Sequence, residues 1–414
     1  MSARRVPVWL VAFAAAALGI PSASGEDEAA DKSYSVRFDA RIVPTERLAK
    51  VSIRLGGEAS RVRWLRFFID PERHFAFRGE GRVEVDGESV LWEPPRSGGR
   101  LSYSFWIDHL RNSSSYDARC AENWALFRGD DMVPPVRVRT VVGAHSISTL
   151  RLRVPDGWSA ALPYERISDG TFAIDDPHRR FDRPKGWMVA GKIGVLRERI
   201  SGTHVAVAGP VGQHLRRHDI LALLRWTLPT LWKIVGELPD RMLVVSAGDP
   251  MWRGGLSGPK SVFVHADRPL ISTDLSSPVL HELMHTVMGV SSGADGDWVV
   301  EGLAELYSLE LLVRSKTVSR RRYAKAMLRL KEKGRGVASL AAEGSSGAVT
   351  ARAVVVLHEI DEQIEAATGG ESGMDELVRR LCAERGVVSS ERFRHIAEEI
   401  AGRQLSAFAR SEVP

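Results

Sequence analysis

The pentapeptide His281-Glu282-Leu283-Met284-His285 carries the strongest chemical signal in this sequence. It lies in an apolar run, Pro278 to Val290, of helical character. On a helix, residues four apart share a face, so both imidazoles can reach one ion while Glu282 projects beside it. That arrangement suits a catalytic Zn2+, which takes three protein ligands and leaves a fourth position for water. A neighbouring carboxylate then removes a proton as the water attacks a carbonyl.

A third ligand must come from elsewhere, and the next helical segment supplies Trp298-Val299-Val300-Glu301-Gly302-Leu303-Ala304-Glu305. Glu301 and Glu305 are four apart and share a face. One can bind the metal while the other accepts a hydrogen bond from a ligand histidine, the support that fixes imidazole orientation. The intervening loop, Gly289 to Asp297, is rich in Gly, Ser and Asp and can turn the chain back on itself. The bland alternative is a pair of satisfied histidines on a buried helix; the second, correctly spaced carboxylate motif argues against it.

The sequence resembles the gluzincin metallopeptidases, specifically the glycyl-aminopeptidase-like family and more distantly aminopeptidase N and the thermolysin-like catalytic domain. Trp298, Glu301, Gly302 and Ala304 match the family's second motif, which implies that Glu301 is the third ligand beside His281 and His285. Glu282 would then be the general base and Glu305 the supporting carboxylate. The segment Trp124-Ala125-Leu126-Phe127-Arg128-Gly129-Asp130-Asp131 is similar to one in the family's leading β domain. The spacer between His285 and Glu301 is shorter than that of aminopeptidase N.

Two departures bear on substrate handling. In the related peptidases an edge strand beside the substrate carries a Glu that binds a free amino group; the counterpart here is Gly254-Gly255-Leu256-Ser257-Gly258, with Ser257 in the place of that Glu. A neutral hydroxyl cannot make the ionic contact. The family's oxyanion-stabilising tyrosine is the second departure, since Thr350 stands where it is expected. Tyr307, Tyr323, His265 and His358 are the candidate substitutes.

These residues need elements to hold them. From about residue 33 to 206, short runs alternate apolar and polar residues, as in Tyr34-Ser35-Val36-Arg37-Phe38 and Leu150-Arg151-Leu152-Arg153-Val154. Such alternation predicts antiparallel strands with one buried face, hence a β-sandwich-like domain. From 207 to 414 the apolar spacing lengthens, with strands at Met242 to Val245 and Ser261 to His265 and helices at 277–290, 297–314, 319–333, 349–367, 372–385 and 390–403. The expected class is α+β: a β domain, then a thermolysin-like, mostly helical catalytic domain with a small sheet.

The 414 residues are 44% hydrophobic and 26% charged, the profile of a globular chain. Lys+Arg (57) barely exceeds Asp+Glu (52), so no nucleic acid partner is implied. Residues 1–25 read as an export signal: Arg4 and Arg5, the apolar Val6 to Ile20, then Ala23, Ser24 and Gly25 before a linker at 26–32. The expectation is a periplasmic or secreted protein acting on peptide or protein substrates. Asn112-Ser113-Ser114 fits a glycosylation sequon. Cys120 and Cys382 are the only cysteines, and pairing and free thiols both remain open. The basic run 314–335 reads as an amphipathic helix with a solvated face, with weak contact to an anionic membrane surface as the alternative. Against the peptidase reading stands a degenerate, non-catalytic gluzincin acting as a zinc-binding interaction protein.

Overall fold

A computed structural model describes residues 32–175, 179–341, 344, 347–410 and 412–413. The export signal at 1–25 and nearly all of the linker lie outside the described residues. Among the described residues no helix is long and apolar enough to cross a membrane. The chain is α+β, as its patterning predicts.

The N-terminal part is a sandwich. A seven-stranded sheet faces a four-stranded one across a core that includes Phe38, Ile53, Phe105 and Leu150 from the first and Leu65, Phe67 and Trp92 from the second. Strand Ser33–Val43 shows why period two is so legible, since its even positions from Tyr34 to Ile42 are buried and the odd ones are not. The expectation of purely antiparallel strands is corrected at this strand. It pairs antiparallel with Leu48–Gly56 but parallel with His145–Arg153. Alternation reports which face is buried, not strand direction, so periodicity could not reveal this.

A five-stranded sheet containing Tyr116–Cys120, Trp124–Arg128 and Trp187–Gly191 joins the sandwich to the C-terminal half of the chain. Both of its faces are covered. Ala125, Phe127 and Met188 enter the sandwich core, while Trp124, Leu126 and Trp187 pack with Leu243, Val245 and Phe263 of the next sheet. That double burial explains the unbroken apolar run Trp124 to Phe127.

The second sheet consists of β1 (Ile193–Ile200), β2 (Thr203–Pro210), β3 (Arg241–Val245), β4 (Gly255–Gly258) and β5 (Ser261–Val264), in the order β1-β2-β3-β5-β4. The pairs β2/β3 and β3/β5 are parallel, and β4 returns antiparallel to become an edge. The expected junction at 206/207 falls inside β2, whose register with β3 runs from His204 to Ala208. The sheet of the second half therefore begins at Ile193, because β1 and β2 alternate as regularly as the sandwich strands do.

Helices α1 (Arg217–Val235), α2 (Pro278–Met288), α3 (Asp297–Arg314), α4 (Arg320–Lys333), α5 (Ala348–Thr368), α6 (Met374–Glu384) and α7 (Ser390–Ala401) surround this sheet. Their apolar faces form one core with it, from Leu224 on α1 to Phe393 on α7. A short parallel pair, Val290–Ser292 with Gly386–Val388, carries no signal in the sequence pattern and tethers the loop after α2 to the α6–α7 connection. Gly296 lies against this tether: a Cβ there would come within 2.0 Å of the Val388 carbonyl oxygen.

Candidate metal centre

Local sequence fixes the ends of α2. Ser277 caps it by accepting the Leu280 N–H, Pro278 occupies the first turn where no N–H is needed, and Gly289 takes a left-handed φ of 59° to end it. Leu280, Leu283, Met284 and Val287 are buried on one face. Burying each contributes about 1.5–3 kcal/mol. The other face carries His281, Glu282 and His285.

Helix α3 crosses this face and brings Glu301 to the two imidazoles. Trp298 anchors its first turn, donating from Nε1 to Ser390 Oγ at 2.8 Å, and Ser390 donates on to the Asp295 carbonyl at 2.7 Å. The next residue after Glu301 is Gly302, where a Cβ would stand 2.9 Å from that of Ala353 and 2.7 Å from Leu357 Cδ1. Glycine there lets α5 approach α3 closely beside the cluster.

His281 Nε2 and His285 Nε2 lie 3.1 Å apart, and Glu301 places Oε2 3.3 Å from the first and Oε1 3.4 Å from the second. Nitrogen and oxygen ligands at about 2.0–2.1 Å from a tetrahedral ion stand roughly 3.3–3.4 Å apart, so the donor set fits zinc in both chemistry and spacing. Among the described residues it is the one group of three or more such side chains gathered this way. His281 Nδ1 faces Glu305 Oε2 at 3.0 Å, which fixes the tautomer that leaves Nε2 for a metal.

The electrostatics reflect this crowding. Burial works to lower the His281 pKa, but Glu301 and Glu305 outweigh it and hold it at about 10. Burial opposes ionisation of Glu301, yet both histidines pull its pKa down to about 2. Glu282 goes the other way, raised by burial against the pull of the two imidazoles. It lies under β4, where a Cβ on Gly255 would stand 2.7 Å from Glu282 Cγ and 3.0 Å from its Oε1. The backbone N–H of Ser257 offsets part of that rise.

Edge strand β4, which carries Gly255, Leu256 and Ser257, therefore sits against the general-base candidate. Two residues from the joining sheet hold it there: Trp187 Nε1 donates to the Leu256 carbonyl at 2.9 Å, and Arg128 Nη1 to that of Ser257 at 3.3 Å. Sequence patterning assigns neither role, although Arg128 ends the apolar run that begins at Trp124.

The structure places the remaining candidates elsewhere. Tyr307 is six residues from Glu301 on α3 and so points from a different face; its buried hydroxyl donates to Asp375 at 2.8 Å. Tyr323 donates to Glu310, in a network that Arg314 extends to Asp375. Both tyrosines are thereby corrected as oxyanion donors: their hydroxyls are engaged in tying α3 to α4 and α6. His265 is buried with Nε2 3.3 Å from Asp249, and half-exposed His358 lies near Glu362. Thr350 lies in the first turn of α5, one turn before Ala353. Cys120 and Cys382 are both free. In α4 only Ala326 is buried, which fits a solvated basic face.

No family model matches the chain, and no curated protein matches it. Solved structures do. An aminopeptidase N family protein from Idiomarina loihiensis superposes with a TM-score of 0.64 at 15% identity, over 84% of this chain and 70% of that one. An M1 zinc metallopeptidase from Deinococcus radiodurans gives 0.61 at 16% identity over 91% of each chain. At such identities the likeness is one of architecture, and it agrees with the resemblance read from the motifs: this chain shares the fold of the aminopeptidase N and M1 zinc metallopeptidase structures.

Proposed function

We propose that this protein is a zinc-dependent peptidase that cleaves peptide bonds outside the cytoplasm. The observation that carries the reading is the convergence of His281, His285 and Glu301, all donor atoms within 4.8 Å of one another, beside a half-buried Glu282 under a strand edge. His281, His285 and Glu301 would hold the zinc, which would supply Lewis acidity toward a carbonyl and a water. Glu282 takes the proton from the attacking water on a carboxylate oxygen and delivers it to the departing amine nitrogen. Burial suits it to both roles, since a raised pKa makes it a stronger base and a ready donor. Glu305 holds His281 in orientation. Strand β4 offers main-chain groups to an extended peptide, the pairing mode of strand addition.

The export signal at 1–25 supports an extracytoplasmic location, and weak membrane-surface contact through 314–335 stays a secondary proposal. A second reading, a zinc-binding protein without hydrolytic activity, draws on the engagement of Tyr307 and Tyr323 and on Thr350. Losing an oxyanion donor lowers rates by about 100- to 1000-fold rather than abolishing them, so hydrolysis remains the better reading. The test is hydrolysis of a mixed peptide library by zinc-loaded wild type and Glu282→Gln. Cleavage by the wild type alone is expected; no cleavage by either protein leaves the non-catalytic reading.

A further inference from the structure

The edge strand has a closed end. A two-residue connection, Pro259-Lys260, joins β4 to β5, and the register places Gly258 opposite Ser261 and Ser257 opposite Val262. In an antiparallel ladder closed this way, the main-chain groups of Ser257 turn away from β5, toward where a substrate strand would lie. The carbonyl is already engaged by Arg128, and the N–H lies on the side of Glu282. A peptide pairing with β4 therefore meets the Arg128 guanidinium here instead of a free backbone. Arg128 at the Ser257 carbonyl and Glu282 beneath Gly255 are two residues apart along β4, roughly 6–7 Å. It thus borders the residue next to the bond being cut.

Arg128 is held rigidly for such a role. Its Nε donates to Asp130 Oδ2 at 2.7 Å, Asp130 Oδ1 accepts the Gly186 N–H at 2.7 Å, and the guanidinium lies 5.5 Å from the Trp187 ring centroid. The side chain is nonetheless 30% exposed, and among the described residues its Nη2 has no partner. A fixed guanidinium with free N–H groups matches a planar carboxylate. It repels an ammonium, and Ser257 supplies no carboxylate to offset that.

We propose that Arg128 is a specificity-determining residue that binds the carboxylate of an acidic side chain adjacent to the scissile bond and disfavours a free α-amino group there. This rests on the peptidase reading. The test is kcat/KM of the zinc-loaded protein for matched acetylated peptides bearing Glu, Gln or Lys at that position, and for their free-amine forms. In parallel, dissociation constants for the Glu and Gln peptides are measured in the Glu282→Gln background. A charge-assisted contact predicts about a 10- to 100-fold preference for Glu over Gln in both readouts. Arg128→Gln should bring the Glu/Gln ratio toward one, whereas Arg128→Lys should retain a preference; because the ratio is internal, a general loss of activity leaves it readable. Peptides cut without charge preference, or a preference that survives Arg128→Gln, overturn the proposal and leave the peptidase reading standing. No cleavage of any peptide overturns that reading, and the binding ratio then still decides whether Arg128 selects carboxylates.

Discussion

Replacing Gly255 by Ala should disable the chemistry while leaving the metal centre and the fold intact. The added Cβ would stand 2.7 Å from Glu282 Cγ, 3.0 Å from Oε1 and 3.2 Å from Cδ. Ordinary carbon–carbon contacts lie at roughly 3.5–4.0 Å, so the two groups must separate by about 1 Å. Strand β4 is held by Trp187, Arg128 and its ladder with β5, so the Glu282 side chain is the part that yields. A misplacement of about 1 Å in a catalytic group can lower the rate about 100-fold. The assay compares kcat for the best library peptide with zinc content and thermal unfolding on the same preparations. A kcat within about threefold of wild type would refute the reasoning. So would loss of zinc, because the three atoms nearest the new methyl group all belong to Glu282, which is not a ligand.

Glu305→Gln should weaken zinc binding by about 10- to 100-fold, read by chelator competition, because His281 loses a charged partner at Nδ1; an unchanged affinity would contradict the role of Glu305. Gly302→Ala should destabilise the protein by about 1–3 kcal/mol in denaturant melts, since its methyl group meets Ala353 and Leu357. Tyr307→Phe should lower stability by roughly 1–3 kcal/mol by leaving Asp375 short of a donor, yet keep kcat within threefold; a 100-fold fall would restore Tyr307 as an oxyanion donor. Asp361 is raised by burial, and further by Glu365 and Asp375, to about 6. A carboxyl whose pKa rises on folding stabilises the fold below its unfolded value of 3.8 and loses that contribution as pH climbs through about 6. Asp361→Asn should therefore gain stability relative to wild type between pH 5 and pH 8, on the order of 1 kcal/mol in melts at the two values; a difference independent of pH would contradict this.

The metal cluster was legible because its logic is local. His281 with His285, and Glu301 with Glu305, follow from the helical repeat alone, and the short connection from 289 to 296 leaves little choice in how the two helices meet. The partners of β4 were not legible. Arg128 and Ser257 are 129 positions apart and Trp187 and Leu256 are 69 apart, and no periodicity links such pairs. The junction at 206 failed because β1 and β2 carry the same alternation as the sandwich strands, and only pairing shows which sheet they join. The tyrosines failed for a related reason: a sequence shows that a hydroxyl exists, not that Asp375 and Glu310 have already engaged it.

The central claim is that His281, His285 and Glu301 form one zinc site served by a separate proton carrier. The most direct test is zinc content by elemental analysis of purified wild type, Glu301→Ala, His285→Ala and Glu282→Gln after reconstitution and dialysis. The account predicts one zinc per chain in the wild type and in Glu282→Gln, and loss of tightly held zinc in Glu301→Ala and His285→Ala. Full zinc retention in both of those variants, or none in the wild type, would contradict it.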